Sequence, residues 1–194
     1  MIHSAPKSGR YSVEHYFELA RKGVIAAHDR CELLDGLIVA MAPQTSPHLL
    51  AVHRVGTVLS EKLGRDVVVR VQMSFLAGRD SAPEPDLAVV PGKLEDYAKK
   101  HPTRADLIVE VAETSVVQDR ITKAAIYARA GVPCYWIVNV RDRRVEAYSA
   151  PDRWKSQYMS FLRVTGKQPV TIEAYPDVVF SAAELLPPPP PKTK

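Results

Sequence analysis

The chain has almost no cysteine: two in 194 residues, Cys31 and Cys134. Neither belongs to a CxxC pair or to a Cys/His cluster with zinc-ligand spacing, which argues against a structural zinc site and a disulfide framework. Two isolated thiols fit a reducing compartment, with core filling as their role. Long apolar runs are missing too. No segment approaches the roughly 20 apolar residues of a membrane-spanning helix. The opening MIHSAPKSGR has no apolar h-region, so no signal peptide is expected and a cytoplasmic location is. Strong net charge is absent as well. A formal charge of +4 permits a phosphate-bearing partner without demanding one. There is no internal repeat, helix-turn-helix or zinc finger.

What is present is ordinary for a globular domain: 46% hydrophobic and 25% charged residues, on a length that supports one buried core. Residues 1–10 read as a flexible N-terminus, 11–186 as a single domain and 187–194 as a proline-rich disordered tail. Pro187 to Pro191 can join neither a helix interior nor a sheet ladder.

Between these ends strand and helix signals alternate. Ser12 caps a helix from Val13 to Lys22 that Gly23 stops. Glu32-Leu-Leu, Asp35-Gly36 and Leu37 to Met41 predict a hairpin. Ser46-Pro47 predicts a cap followed by proline at the first helical position. That helix buries Leu49, Val52, Val55, Leu59 and Leu63, and ends at Gly64. Val67 to Leu76 and Leu87 to Val90 read as strands, and Leu94 to Lys100 as a short helix. Leu107 to Ala112 is an apolar strand interrupted only by Glu110. Ser115 to Ala130 is a helix with a Ser115/Gln118 capping box and a Gly131 stop. Cys134 to Val140 is a buried strand and Arg144 to Ser149 an edge strand. Gln157 to Val164 and Val170 to Ala174 are weaker strands. The expected class is α/β: an α+β mixed sheet flanked by helices.

The informative residues are polar groups inside apolar strands. A buried carboxylate costs on the order of several kcal/mol unless a cation partners it. Asp86 opens the strand Leu-Ala-Val-Val; alone, it reads as a turn aspartate. Glu110 shares a strand face with Ile108 and Ala112, and reads as a cation ligand or half of a buried ion pair. Asp119, Lys123 and Tyr127, four apart, form one helical stripe beside an apolar stripe through Ile121, Ala124, Ala125 and Ala128. Alone, Asp119 and Lys123 read as a solvated pair. Together, Asp86 and Glu110 offer the hard oxygen donors that suit Mg²⁺ or Mn²⁺. A nearby Lys123 adds positive charge for a phosphoryl transition state. Glu32 starts a strand from which it reaches the cation or stays solvated. His48 sits on a helix's first turn, where it donates to phosphate, orients Glu32 or lies on the surface. Glu84 and Glu113 read as solvated loop carboxylates.

The ordered set Glu32-Leu-Leu-Asp-Gly, Ser46-Pro-His48, Pro85-Asp86-Leu, Val109-Glu110-Val, Asp119…Lys123…Tyr127 and Gly131-Val-Pro-Cys-Tyr-Trp136 resembles the Uma-type family of restriction endonucleases. That family lies in the PD-(D/E)XK nuclease superfamily and was long described as a domain of unknown function. The resemblance spans residues 10–185, and its specificity lies in the order of the motifs. It implies a restriction-endonuclease-like fold, Mg²⁺-dependent (or Mn²⁺-dependent) cleavage of nucleic acid, in particular DNA, and a homodimer. By matching position, Asp86 and Glu110 are the metal carboxylates, Lys123 the catalytic lysine, and Glu32 a further catalytic member. His48 and Tyr127 are expected to touch substrate. The wider superfamily has lysine where this chain has Ala112, so Lys123 must reach the site from the next helix. Glu113 stands where serine is more usual, and Cys134 where glutamate is. A binding module without turnover and a hydrolase of small phosphoesters remain open beside the nuclease.

Overall fold

The computed structural model describes residues 9–26, 28–113 and 116–188. The expectations for residues 1–8, for the Ser115 cap and for the tail at 189–194 fall outside these. Six strands make one sheet in the order β3-β4-β5-β6-β7-β8. They are β3 (Val67–Val71), β4 (Leu87–Pro91), β5 (Leu107–Ala112), β6 (Cys134–Asn139), β7 (Arg144–Asp152) and β8 (Gln157–Thr165). Only β5 and β6 run parallel; every other neighbour is antiparallel. The parallel pair requires a crossover connection. Val116–Gln118 (α3), a π-helical turn at Asp119–Lys123 and Ala124–Ala130 (α4) supply it.

Strand alternation divides the core. Leu87, Val109, Val111, Trp136 and Val138 pack against Val52, Val55 and Leu59 of α2 (Ser46–Leu63). Ala88, Ile108, Ala112, Tyr135 and Ile137 face Ile126 and Tyr127 of α4. Glu110 alternates with Ile108 and Ala112, so it belongs to this second face. This is the expected mixed sheet flanked by helices. Among the described residues no helix is long and apolar enough to cross a membrane.

The flanking pieces follow from local chemistry. Ser12 caps α1 (Val13–Arg21) by accepting from His15 N–H at 3.2 Å. β1 (Cys31–Leu34) and β2 (Leu37–Ala40) form the predicted hairpin. Asp35 and Gly36 take φ values of 47° and 79°, the left-handed pair a tight two-residue turn requires. A Cβ at Gly36 would lie 2.7 Å from Arg10 Cβ, so glycine is also needed for space.

Several expectations change. The N-cap of α2 is Thr45, not Ser46: its hydroxyl accepts from His48 N–H at 3.3 Å, so the helix starts one residue earlier in the chain. Leu49 is exposed, and so is Ile121 at 67%. β7 is an interior strand, because β8 pairs along its whole length and forms the sheet edge instead. A second hairpin, β9 (Pro169–Ile172) with β10 (Tyr175–Ser181), and a short α5 (Ala182–Leu185) cover the first face. Of these three, only β9 was anticipated.

Candidate functional site

β4 and β5 pair Leu87 with Val109. One residue further, the register brings Asp86 opposite Glu110 on the face shared with Ala88 and Ile108. Directly opposed Cβ atoms lie about 4.5–5.5 Å apart. Asp86 Oδ2 accepts from Val111 N–H at 2.8 Å, which ties it to the backbone next to Glu110. Its Oδ1 lies 3.0 Å from His48 Nε2 and accepts from Gln72 Nε2 at 3.2 Å.

On the other side, Lys123 Nζ donates to Glu110 Oε1 at 3.0 Å and lies 3.4 Å from Glu32 Oε1. Tyr127 donates its hydroxyl to the same Glu110 oxygen at 2.7 Å. Both donors fall on Oε1 of Glu110. Glu32 is fixed by accepting from Glu84 N–H at 3.1 Å. Glu110 and Lys123 are nearly inaccessible, at 3% and 6%.

These groups meet at one cavity of about 140 Å³. Six carboxyl side chains line it (Glu32, Glu84, Asp86, Glu110, Glu113 and Asp119), against Arg30, Lys123 and His48. That imbalance sets the electrostatics. Burial pushes Glu110 well above the ordinary carboxylate range; Asp119, Asp86 and Glu32 add to this against the pull of Lys123. Burial also disfavours the Lys123 ammonium, but Glu110, Glu32 and Asp119 outweigh it and hold the amine above its usual value. With more acids than cations, the lysine stays charged and one carboxyl carries the strain. Burial raises Glu84. His48 is raised by its hydrogen bond to Asp86, against burial.

The structure therefore brings Asp86, Glu110, Lys123, Glu32 and His48 to one place. Tyr127, expected to touch substrate, does not line the cavity. It is fully buried with its hydroxyl on Glu110, a position from which it holds that carboxylate. Asp119 and Lys123 are not a solvated pair: both are buried. Glu84 and Glu113 also line the cavity, the latter accepting from Thr45 Oγ1 at 2.5 Å. Sequence reading missed Gln72, whose φ of 50° is the strained backbone that turns a strand end onto Asp86. No local sequence pattern announces it.

Among the described residues no group of three or more His, Cys, Asp or Glu side chains is placed to hold a metal ion by itself. The donor set still suits Mg²⁺, which commonly takes one or two carboxylates and completes its shell with water and phosphate oxygens. The surplus of acid lining the cavity fits a cation there.

A family model described as "Uma2: Putative restriction endonuclease" matches residues 13–163. Among solved structures the chain is similar to a "putative nuclease belonging to DUF820 from Anabaena variabilis ATCC 29413". The TM-score is 0.71 at 14% identity, over 90% of this chain and 96% of that one. At such identity the likeness is one of fold, and the fold is restriction-endonuclease-like. Comparison with curated proteins gives no match.

Proposed function

The chain belongs to the Uma2 family, and from that premise we propose that it is an endonuclease that hydrolyses phosphodiester bonds of DNA with the help of Mg²⁺ or Mn²⁺. The observation that carries this reading is the shared cavity: one carboxylate just before β4 and one within the neighbouring β5, with an ammonium 3.0 Å from the latter. The similar solved structure is described as that of a "putative nuclease".

Asp86 and Glu110 would hold the ion, which when bound supplies Lewis-acid polarisation of a phosphoryl oxygen. The chain's own residues do the rest. Lys123 places a fixed positive charge where negative charge builds on the phosphoryl oxygens, in a site largely shielded from water. Its counter-ions Glu32 and Glu110 hold it in that place. His48, oriented through Nε2 by Asp86, sits on the first turn of α2. Backbone N–H groups and the helix dipole there favour an anion, so His48 and this turn are placed to receive a phosphate oxygen. Glu32 orients Lys123 and accepts from the backbone, a supporting role.

The test is a substrate panel: supercoiled plasmid, single-stranded DNA, RNA and nucleoside monophosphates, each with Mg²⁺, with Mn²⁺ and with EDTA. Nicking or linearising of plasmid that EDTA abolishes is the expected result. Turnover of small phosphoesters alone would replace the endonuclease by a phosphohydrolase. Tight DNA binding without any turnover would leave a binding module on the same fold. Homodimerisation belongs to this reading as well, and sedimentation of the whole chain decides it.

A further inference from the structure

We propose that the Arg120–Glu146 ion pair is the clamp that delivers Lys123 to the acidic cavity, making Arg120 and Glu146 positioning residues. This rests on the reading of Lys123 as the cation of the site.

The register supplies the frame. Glu110 pairs with Ile137, and Ile137 pairs with Glu146. The two glutamates therefore stand in one row on one sheet face, two strands or about 10 Å apart. Above them lies the π-helical turn Asp119–Lys123. Two cations three residues apart on this turn each take one glutamate of that row, and Lys123 also meets Glu32. Lys123 takes Glu110. Arg120 takes Glu146 with two parallel bonds, Nε to Oε2 at 2.7 Å and a second nitrogen to Oε1. Two attachment points on one turn fix its rotation about the helix axis, which a single one does not.

Glu146 is built for the purpose. It is fully buried. Arg144 Nε donates to its Oε1 at 2.8 Å, and the Tyr148 hydroxyl lies 3.3 Å from its Oε2. The widened turn has its own brace. The Asp119 carbonyl accepts from Ala124 N–H, the five-residue bond of a π turn, and also from the Tyr135 hydroxyl at 3.1 Å.

The π turn matters because four residues overshoot one α-helical turn. In a regular helix Asp119, Lys123 and Tyr127 would fan by about 40° per step, roughly 80° in all. A wider turn cancels the drift, and all three are buried against the sheet. Since position 112 is Ala112, no strand lysine reaches Glu110. The ammonium depends on this helix holding its rotation. Lysine gains hydration by leaving, so the fixed ion pair next to it opposes that escape.

The experiment measures acylation of Lys123 in the full-length chain by a succinimidyl ester, read by peptide mass spectrometry, beside urea unfolding. The probe does not depend on catalysis. In Arg120→Ala and in Glu146→Gln, Lys123 is expected to label about 10- to 100-fold faster than in the parent. Arg120→Lys restores part of the protection. On a cleaved substrate, kcat falls by a similar factor while KM holds. Unchanged Lys123 labelling in both variants, or a rise no greater than their global unfolding explains, overturns the clamp. If the parent cleaves nothing, the nuclease reading falls by itself and the labelling still decides the clamp.

Discussion

Glu110→Gln and Asp86→Asn are each expected to remove metal-dependent cleavage, by on the order of 10³-fold in kcat/KM, the upper range for one electrostatic contributor. The two differ in their effect on stability, which separates a site effect from a folding defect. Glu110 is raised above its ordinary value in the folded state, by burial first and then by Asp119, Asp86 and Glu32. A carboxyl with a raised folded value contributes stability that is complete below its unfolded value of 4.5 and is lost as pH rises through the folded value. Glu110→Gln lacks that loss. Its melting temperature should gain on the parent's as pH climbs from 5 to 8 without metal. The same linkage makes the parent's Mn²⁺ affinity rise with pH, because the ion competes with the Glu110 proton. Asp86→Asn keeps the shape but has one acceptor oxygen, whereas Asp86 serves Val111 N–H through Oδ2 and Gln72 and His48 through Oδ1, so it should destabilise by about 1–2 kcal/mol. A calorimetric series across pH measures both. Full cleavage by both variants would remove Asp86 and Glu110 from the mechanism.

Lys123→Ala carries the second large effect, on stability as well as activity. Its ammonium lies among buried carboxylates, 3.0 Å from Glu110 and 3.4 Å from Glu32. Removing one partner of a buried pair costs about 3–5 kcal/mol when the other stays charged. Glu110 escapes part of this by taking a proton, so the cost should be largest near pH 8 and shrink toward pH 5. Activity should fall about 10²- to 10³-fold even where the variant is folded. Lys123→Met, which fills the space without charge, is expected to recover much of the stability and none of the turnover. Urea midpoints at two pH values, with cleavage on the same preparations, check this. Parental cleavage by a folded Lys123→Met chain would contradict the assigned role.

The residues differ in how plainly the sequence announces them. Glu110 was legible because it is the one carboxylate in a six-residue strand that is otherwise wholly apolar, and a strand has only two faces. Asp86 needed its partner: only the register of β4 on β5 turns a loop aspartate into a neighbour of Glu110. Lys123 looked like half of a solvated helical pair, because a π turn leaves no mark in the spacing of side chains. Glu146 was not singled out, because it lies in a segment expected to be an edge strand and the cover given by β8 comes from outside the local pattern. The hairpin of β9 and β10 is short and irregular in register. Its packing on Trp136 through Phe180 is a long-range contact that no local window contains.

The most direct measurement is a crystal of the parent chain soaked in Mn²⁺, with data collected at the manganese absorption edge. A single anomalous peak within ligand distance of both Asp86 and Glu110, and with Lys123 Nζ still on the same cavity, is the predicted result. Strong peaks elsewhere with none between those two carboxylates, at a concentration that supports cleavage, would contradict it.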